Sequence, residues 1–189
     1  MRDKLVKVEG ERTLYIHAYL YEASDFALEQ AQQTEEGSFY NCLYSIIMAA
    51  FYVEAYLNYV GREHFDEWDE KATPLDKLKA VAREIGIEVN NGRKPFQSIR
   101  LVNKFRNCLA HGHIAKLSNS YIRTKSCIRK LSADSELLTW WESVCTINSA
   151  SRYLRDIEEV VHMIANGYHL EVPPHGLLHL EFRHTKPVR

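Results

Sequence analysis

A long, mostly apolar segment in the N-terminal third of this chain, FYNCLYSIIMAAFYVEAYLNYVG, constrains the fold more than any other feature. Read at 3.6 residues per turn, it is hydrophobic around almost its whole circumference, which is typical of a helix buried at the centre of a domain. A helix of this length would be about 30 Å long. The segment therefore predicts a central helix over residues 39–61, with Ser38 as its N-cap and Gly61 near its end.

Two polar residues, Glu54 and Asn58, interrupt this segment on one helical face. A carboxylate inside a core must find a partner or be neutralised. In one interpretation the two residues form an internal hydrogen-bonded pair that fixes the helix register. In the other, Glu54 holds the side chain of Arg106. The sequence leaves both interpretations open.

Four further segments predict helices, and the low content of Gly and Pro, 8 and 5 residues, favours long ones. Helix-terminal residues mark several ends, such as Thr73 before Pro74. Residues 114–133 are ambiguous and predict a short hairpin or an irregular insertion. The residues from about 168 onward, after the last predicted helix, predict an extended tail. The chain is thus predicted to be all-α, a single domain over residues 1–189 that forms an antiparallel bundle of four to five helices. The four segments are Arg12–Gln33, Thr73–Gly86, Pro95–Gly112 and Ser135–Gly167.

Charge is distributed unevenly along the chain, although the net charge is only −1. Residues 89–133 contain ten Lys or Arg and no Asp or Glu. This asymmetry predicts a positive face that a polyanion such as RNA could use, with a merely solvated basic segment as the alternative. The candidate RNA contacts are Arg100, Lys104 and Lys116.

Several protein classes are disfavoured by the sequence. It contains no run of about 18 apolar residues, which predicts no membrane span. The first twelve residues lack the apolar core of a secretory signal. The four cysteines are scattered without a C-x-x-C pair, which predicts reduced thiols in a cytoplasmic protein. The histidines between residues 169 and 184 lack the spacing of a helical metal-ligand set, so neither a metal nor a cofactor is predicted.

The string KFRNCLAHGH, residues 104–113, carries the residues that suggest chemistry. On a regular helix Arg106 and His111 lie about 140° apart. A left-handed Gly112 would let the chain depart just after His111, which could then turn toward the groove that Arg106 reaches. Arginine binds phosphate through a planar pair of donors, and histidine moves protons near neutral pH. Together they suit metal-independent RNA cleavage, with Asn107 orienting the ribose or the imidazole.

These residues resemble the signature of HEPN domains, which is an Arg, four to six variable residues and a His. The Arg-Asn opening and the Ala-His-Gly ending match its commonest form, and FYVEAYLNYV resembles the second helix of the family, where an acidic residue faces the motif. The resemblance spans about residues 12–165, although about ten positions carry it. It implies a helical bundle that dimerises so that two motifs meet in one cleft. By this resemblance Arg106 and His111 map to the active pair, with support from Asn107 and Glu54.

Many HEPN proteins are metal-independent endoribonucleases that serve as toxins or in defence against phage. The resemblance therefore predicts a cytoplasmic homodimer that cleaves RNA, with an antitoxin protein as a further partner. The alternative is a non-catalytic HEPN-like module that binds RNA, a nucleotide or a partner. One branch of the family carries a tyrosine two residues after the histidine, where this chain has His113, so inhibition by nucleotide transfer to that tyrosine is not supported. His113 is either a second proton carrier or an ordinary surface histidine.

Overall fold

The structure is a computed structural model that describes residues 6–112, 114, 116–118, 137–170 and 179–187, with only the backbone described for residues 6–13 and 179–187. This part of the chain contains six helices, with one strand near each end. In chain order the elements are β1 (Val6–Thr13), α1 (Ile16–Gln33), α2 (Ser38–His64), α3 (Pro74–Glu84), α4 (Phe96–His111), α5 (Trp140–Ser143), α6 (Ile147–Gly167) and β2 (His179–Pro187).

The apolar helix α2 lies at the centre of a helical bundle and packs against α1, α3, α4 and α6. Its inward side chains, among them Ile46, Val53 and Leu57, are completely buried. In the middle of α1, the Ser24 hydroxyl donates to the Ser45 carbonyl at 2.9 Å, and near the start of α1 the ring of His17 packs against the ring of Tyr56. These contacts make α1 and α2 antiparallel. The predicted all-α bundle is confirmed.

Helix α4, which carries the KFRNCLAHGH string, is anchored at both ends. Near its start, the buried Ser98 hydroxyl donates to the Asp156 carboxylate of α6 at 2.5 Å. Near its other end, the ring of Phe105 lies edge-on to Trp140 of α5, with 6.4 Å between ring centres. Because α5 precedes α6 in the chain, these contacts orient α4 antiparallel to α6.

Helix α2 is also, within the described residues, the one helix with the length and hydropathy of a membrane span. Half of its most apolar 18-residue window is buried inside the bundle. The core helix of a bundle and a membrane-spanning helix share these properties, because each must surround its backbone with apolar side chains.

Local capping residues set the predicted ends of α3 and α4. The Thr73 hydroxyl accepts a hydrogen bond from the backbone N–H of Asp76, and Pro74 is the first helical residue. Pro95 precedes α4, and Gly112 ends it in the left-handed conformation with φ 55°. Both ends agree with the sequence prediction, because these signals depend only on neighbouring residues.

Several predicted helix limits were wrong, including the end of α2, which lies at His64 rather than at Gly61. The first helix begins at Ile16 rather than Arg12, because residues through Thr13 form β1, which pairs antiparallel with β2. Ser38 is the first residue of α2 rather than its N-cap, since the left-handed Gly37 occupies the cap position. The predicted helix from Ser135 to Gly167 is two helices, α5 and α6.

The break between α5 and α6 has a local cause. Thr139 and Glu142 form a reciprocal capping box that starts α5, and Thr146 caps α6 by accepting from the backbone N–H of Ser149. The Trp140 side chain at the start of α5 is 39% exposed. The hairpin or insertion expected at 114–133 lies outside the described residues, apart from 114 and 116–118.

A buried histidine lies between α1 and α2. The ring of His17 packs 5.2 Å from Tyr56 and 5.1 Å from Tyr59, and its Nε2 has no hydrogen-bond partner within the described part of the chain. Burial lowers the pKa of His17 from 6.5 to about 4. The imidazole is therefore uncharged at neutral pH, and protonation would place an unpaired cation in the core.

Acidification should destabilise the protein through His17. Between pH 6.5 and 4 the unfolded chain binds a proton at this residue that the folded chain does not, so stability falls as pH falls through this window. This effect should lower the unfolding free energy of the wild-type protein by about 2 kcal/mol between pH 7 and pH 5. The His17→Phe variant should lack this decrease. Urea unfolding at the two pH values measures it, with the exposed His162→Gln on α6 as the control. An unchanged pH dependence in His17→Phe would contradict the assignment.

Candidate functional site

The guanidinium of Arg106 is held against the central helix. Its Nη2 donates to Glu54 Oε2 at 2.7 Å, and its Cζ lies 5.7 Å from the centre of the Phe51 ring. The arginine side chain is 23% exposed. Asn58 has a separate partner, because its Oδ1 accepts from the indole N–H of Trp68 at 3.1 Å. Of the two interpretations of Glu54, the structure shows the contact with Arg106.

A buried lysine, absent from the sequence predictions, completes this contact. The side chain of Lys77 on α3 is 1% exposed, and its ammonium donates to the Glu70 carbonyl at 2.7 Å. The same Nζ lies 3.6 Å from Glu54 Oε1. The two carboxylate oxygens of Glu54 thus face different cations, which links α3, α2 and α4. The signal in the sequence was weak: Lys77 lies beside Leu78 and four residues before Val81 on the buried face of α3.

A groove of ≈ 270 Å³ opens between α2 and α4 beside this cluster. Arg106 is the one charged residue of its lining, and the remaining lining side chains are apolar. They are Ile47, Phe51, Leu109 and Ala110. A guanidinium at the wall of an apolar groove faces fewer competing waters than one on an open surface, so its attraction for an anion is stronger there.

His111 and Asn107 lie on another face of α4. The helix continues through His111, and the left-handed Gly112 turns the chain only after it. On this regular helix Arg106 and His111 point about 140° apart, whereas Asn107 and His111 differ by about 40°. The helix ending therefore does not turn His111 toward the groove of Arg106, contrary to the turn expected from the sequence. His111 and Asn107 are both exposed.

A row of exposed polar side chains follows the same face of α4. Arg100, Lys104, Asn107 and His111 lie within about 60° of one another around the helix axis. Lys104 Nζ is 4.6 Å from the centre of the Trp140 ring. Lys116, which follows the helix, is exposed, and His113 lies outside the described residues. The structure thus gathers two of the three predicted RNA contacts, together with the amide and the imidazole, on one surface.

Two buried polar atoms on α4 are left without partners. Arg106 Nε and Asn103 Oδ1 form no hydrogen bond with the described residues, while Asn103 Nδ2 donates to the Ile99 carbonyl at 2.8 Å. An unpaired buried polar group costs about 1–3 kcal/mol. The donor and the acceptor lie about one helical turn apart, and both are buried. The sequence position of Asn103 gives no sign of this unpaired acceptor, because the residue falls within an apolar stripe.

The described thiols and acids do not suggest another chemistry. Burial raises the pKa of Cys145 to about 12 and also raises the pKa of Cys42, so both thiols are protonated at neutral pH. Cys108 is partly buried and unpaired. Among the described residues, no group of three or more His, Cys, Asp or Glu side chains is arranged to hold a metal ion.

Comparison of the chain with known protein families, with characterised proteins and with solved structures finds no match.

Proposed function

We propose that this chain is a metal-independent endoribonuclease of HEPN type that acts as a homodimer. The observation that carries the proposal is Arg106, a partly buried guanidinium fixed by Glu54 at the wall of a groove. The same helix bears His111 and a row of exposed cations in a segment without acidic residues. These are the groups needed to bind a phosphodiester and to move its protons.

The reaction follows from the chemistry of these side chains. His111 accepts the proton of a ribose 2′-hydroxyl, and the 2′-oxygen attacks the adjacent phosphorus. Arg106 stabilises the negative charge that develops on the phosphorane oxygens. The bond from phosphorus to the 5′-oxygen breaks, and that oxygen leaves with a proton from a protonated imidazole. The products are a 2′,3′-cyclic phosphate and a 5′-hydroxyl, and Asn107 contacts the ribose or orients the imidazole.

A dimer can place an arginine and a histidine in the same cleft, which a single α4 helix does not. Because Arg106 and His111 leave the helix about 140° apart, we propose that Arg106 of one copy acts with His111 of the other. An exposed apolar row on α2, formed by Tyr40, Tyr44 and Phe51, lies beside the groove and suits self-association. The exposed basic row would hold the RNA on either side of the cleft.

An assay of product ends tests the activity. Labelled single-stranded RNA is incubated in EDTA with wild-type protein, with His111→Ala and with the control His162→Ala on α6. Wild type and control should yield cyclic phosphate ends, and His111→Ala should be slower by about 100-fold or more. Equal cleavage by His111→Ala, or cleavage that requires added metal, would remove His111 from the mechanism.

A non-catalytic RNA-binding module is the second candidate. The observation that favours it is the exposed basic row on α4, together with the separation of about 140° between Arg106 and His111 on that helix. RNA binding with a steep dependence on salt but no cleaved product would identify this function. A role as a toxin or in phage defence, with an antitoxin as partner, follows from the HEPN resemblance and is proposed on that basis alone.

A further inference from the structure

We propose that Lys77 is a positioning residue that keeps the Arg106 site positively charged by neutralising Glu54. The inference rests on the proposed function, since it concerns how the same site attracts the phosphates of RNA. Its basis is the continuous contact from Lys77 of α3 through Glu54 of α2 to Arg106 of α4.

Glu54 gives Arg106 a fixed position but would also cancel its charge. At 2.7 Å, the carboxylate oxygen Oε2 forms a charge-assisted hydrogen bond with the guanidinium. A pair made of one arginine and one glutamate has no net charge, and such a pair attracts a phosphate weakly. An anion site built only from these two residues would therefore be well ordered but weak.

Lys77 restores the missing charge from a position where it cannot touch RNA. Its ammonium is buried at 1% exposure, 3.6 Å from the other carboxylate oxygen, and the Glu70 carbonyl accepts one of its hydrogens. The cluster of two cations and one carboxylate then carries a net charge of +1. Arg106 is the residue of the cluster that lines the groove, so an anion in the groove is attracted by the net positive charge.

The burial of Lys77 distinguishes it from an ordinary surface lysine, whose ammonium is solvated. A lysine ammonium is rarely buried unless a specific partner compensates its desolvation. Here the compensation comes from Glu54 and the Glu70 carbonyl. Lys77 thus compensates the carboxylate of Glu54, and the net positive charge of the cluster remains at Arg106.

A charge-restoration series tests the inference. Lys77→Met should lower the cluster charge to zero and weaken binding of a labelled 2′-O-methyl single-stranded oligonucleotide about tenfold at fixed ionic strength. Adding Glu54→Gln to Lys77→Met returns the charge to +1 and should restore affinity to within about threefold of wild type. The 2′-O-methyl probe lacks the attacking hydroxyl, so binding is measured without cleavage.

The matched control is Lys79→Met. Lys79 lies on the same helix and pairs with a carboxylate, Asp76, at 3.4 Å, but it has no contact with Glu54 among the ion pairs of the described residues. Its loss removes the same charge from α3 and should leave the affinity nearly unchanged. Circular dichroism establishes that each variant is folded. If Lys77→Met does not fold, the double variant is compared with Glu54→Gln, from which it differs only by the charge of Lys77, and Glu54→Gln, with a cluster charge of +2, should bind the probe more tightly.

The outcomes separate this inference from the proposed ribonuclease activity. Wild-type affinity in Lys77→Met, an unrestored double variant or weaker binding by Glu54→Gln would each overturn the role of Lys77. Wild-type protein that does not bind the probe would also overturn it, since the cluster would then not be an RNA site. Wild-type protein that binds the probe but cleaves no RNA would end the ribonuclease proposal while the binding series still decides the role of Lys77.

Discussion

Arg106→Ala protein is expected to cleave RNA about 100- to 1000-fold more slowly than wild type while remaining folded. The loss follows from removing the guanidinium that stabilises the phosphorane. The fold should survive because Glu54 keeps a second cationic partner, Lys77, at 3.6 Å. Arg106→Lys should also be strongly impaired, since an ammonium lacks the planar pair of donors that engages two phosphate oxygens. Single-turnover cleavage rates and thermal melts measure the two parts of this expectation.

Mixing two inactive variants tests whether the site is shared between two copies. If Arg106 of one copy acts with His111 of the other, a heterodimer of Arg106→Ala and His111→Ala retains one intact site. Random exchange, achieved by unfolding and refolding the mixture, should then recover about a quarter of wild-type sites. A mixture that stays as inactive as its components would show that both residues act from one chain or that no dimer forms.

For the single variant, undiminished cleavage by Arg106→Ala would remove this arginine from the mechanism.

The elements that the sequence predicted well are those set by local chemistry. Helix α2 follows from an apolar pattern that only a buried or membrane helix satisfies. The limits of α3 and α4 follow from Thr73, Pro95 and Gly112, whose capping effects depend on neighbouring residues alone. The break before α6 also had a local signal in Thr146. It was overlooked because apolar periodicity continues through the break.

The features that the sequence did not predict depend on residues far apart in the chain. β1 forms because residues 6–13 pair with residues 179–187. The sequence near Arg12 contains no pattern that indicates this pairing. In the candidate site, too, some residues could be selected from the sequence and one could not. Glu54 and Arg106 could be nominated from burial and motif, whereas the burial of Lys77 depends on how α3 packs beside α2. A lysine in an amphipathic helix is ordinarily exposed, so its sequence position gave little reason to select it.

Phe105→Ala is expected to cause the largest loss of stability near the site, about 3–5 kcal/mol. The Phe105 ring is 1% exposed, and it joins α4 to Trp140 of α5. Truncation removes these contacts and leaves a cavity in the packing that holds α4 in place. Chemical denaturation measures the change, with Phe26→Ala as the matched control, because Phe26 on α1 is 63% exposed and its loss should change stability by less than about 0.5 kcal/mol.

Phe105 and Arg106 are neighbours in sequence, yet their side chains point about 100° apart and should fail in different ways. Phe105→Ala should lower the unfolding free energy, while the fraction that remains folded cleaves RNA at a rate near that of wild type. Arg106→Ala should do the reverse, keeping the fold and losing the chemistry. Cleavage rates corrected for the folded fraction distinguish the two. A Phe105→Ala protein as stable as wild type would show that Ser98 and its contact with Asp156 suffice to anchor α4.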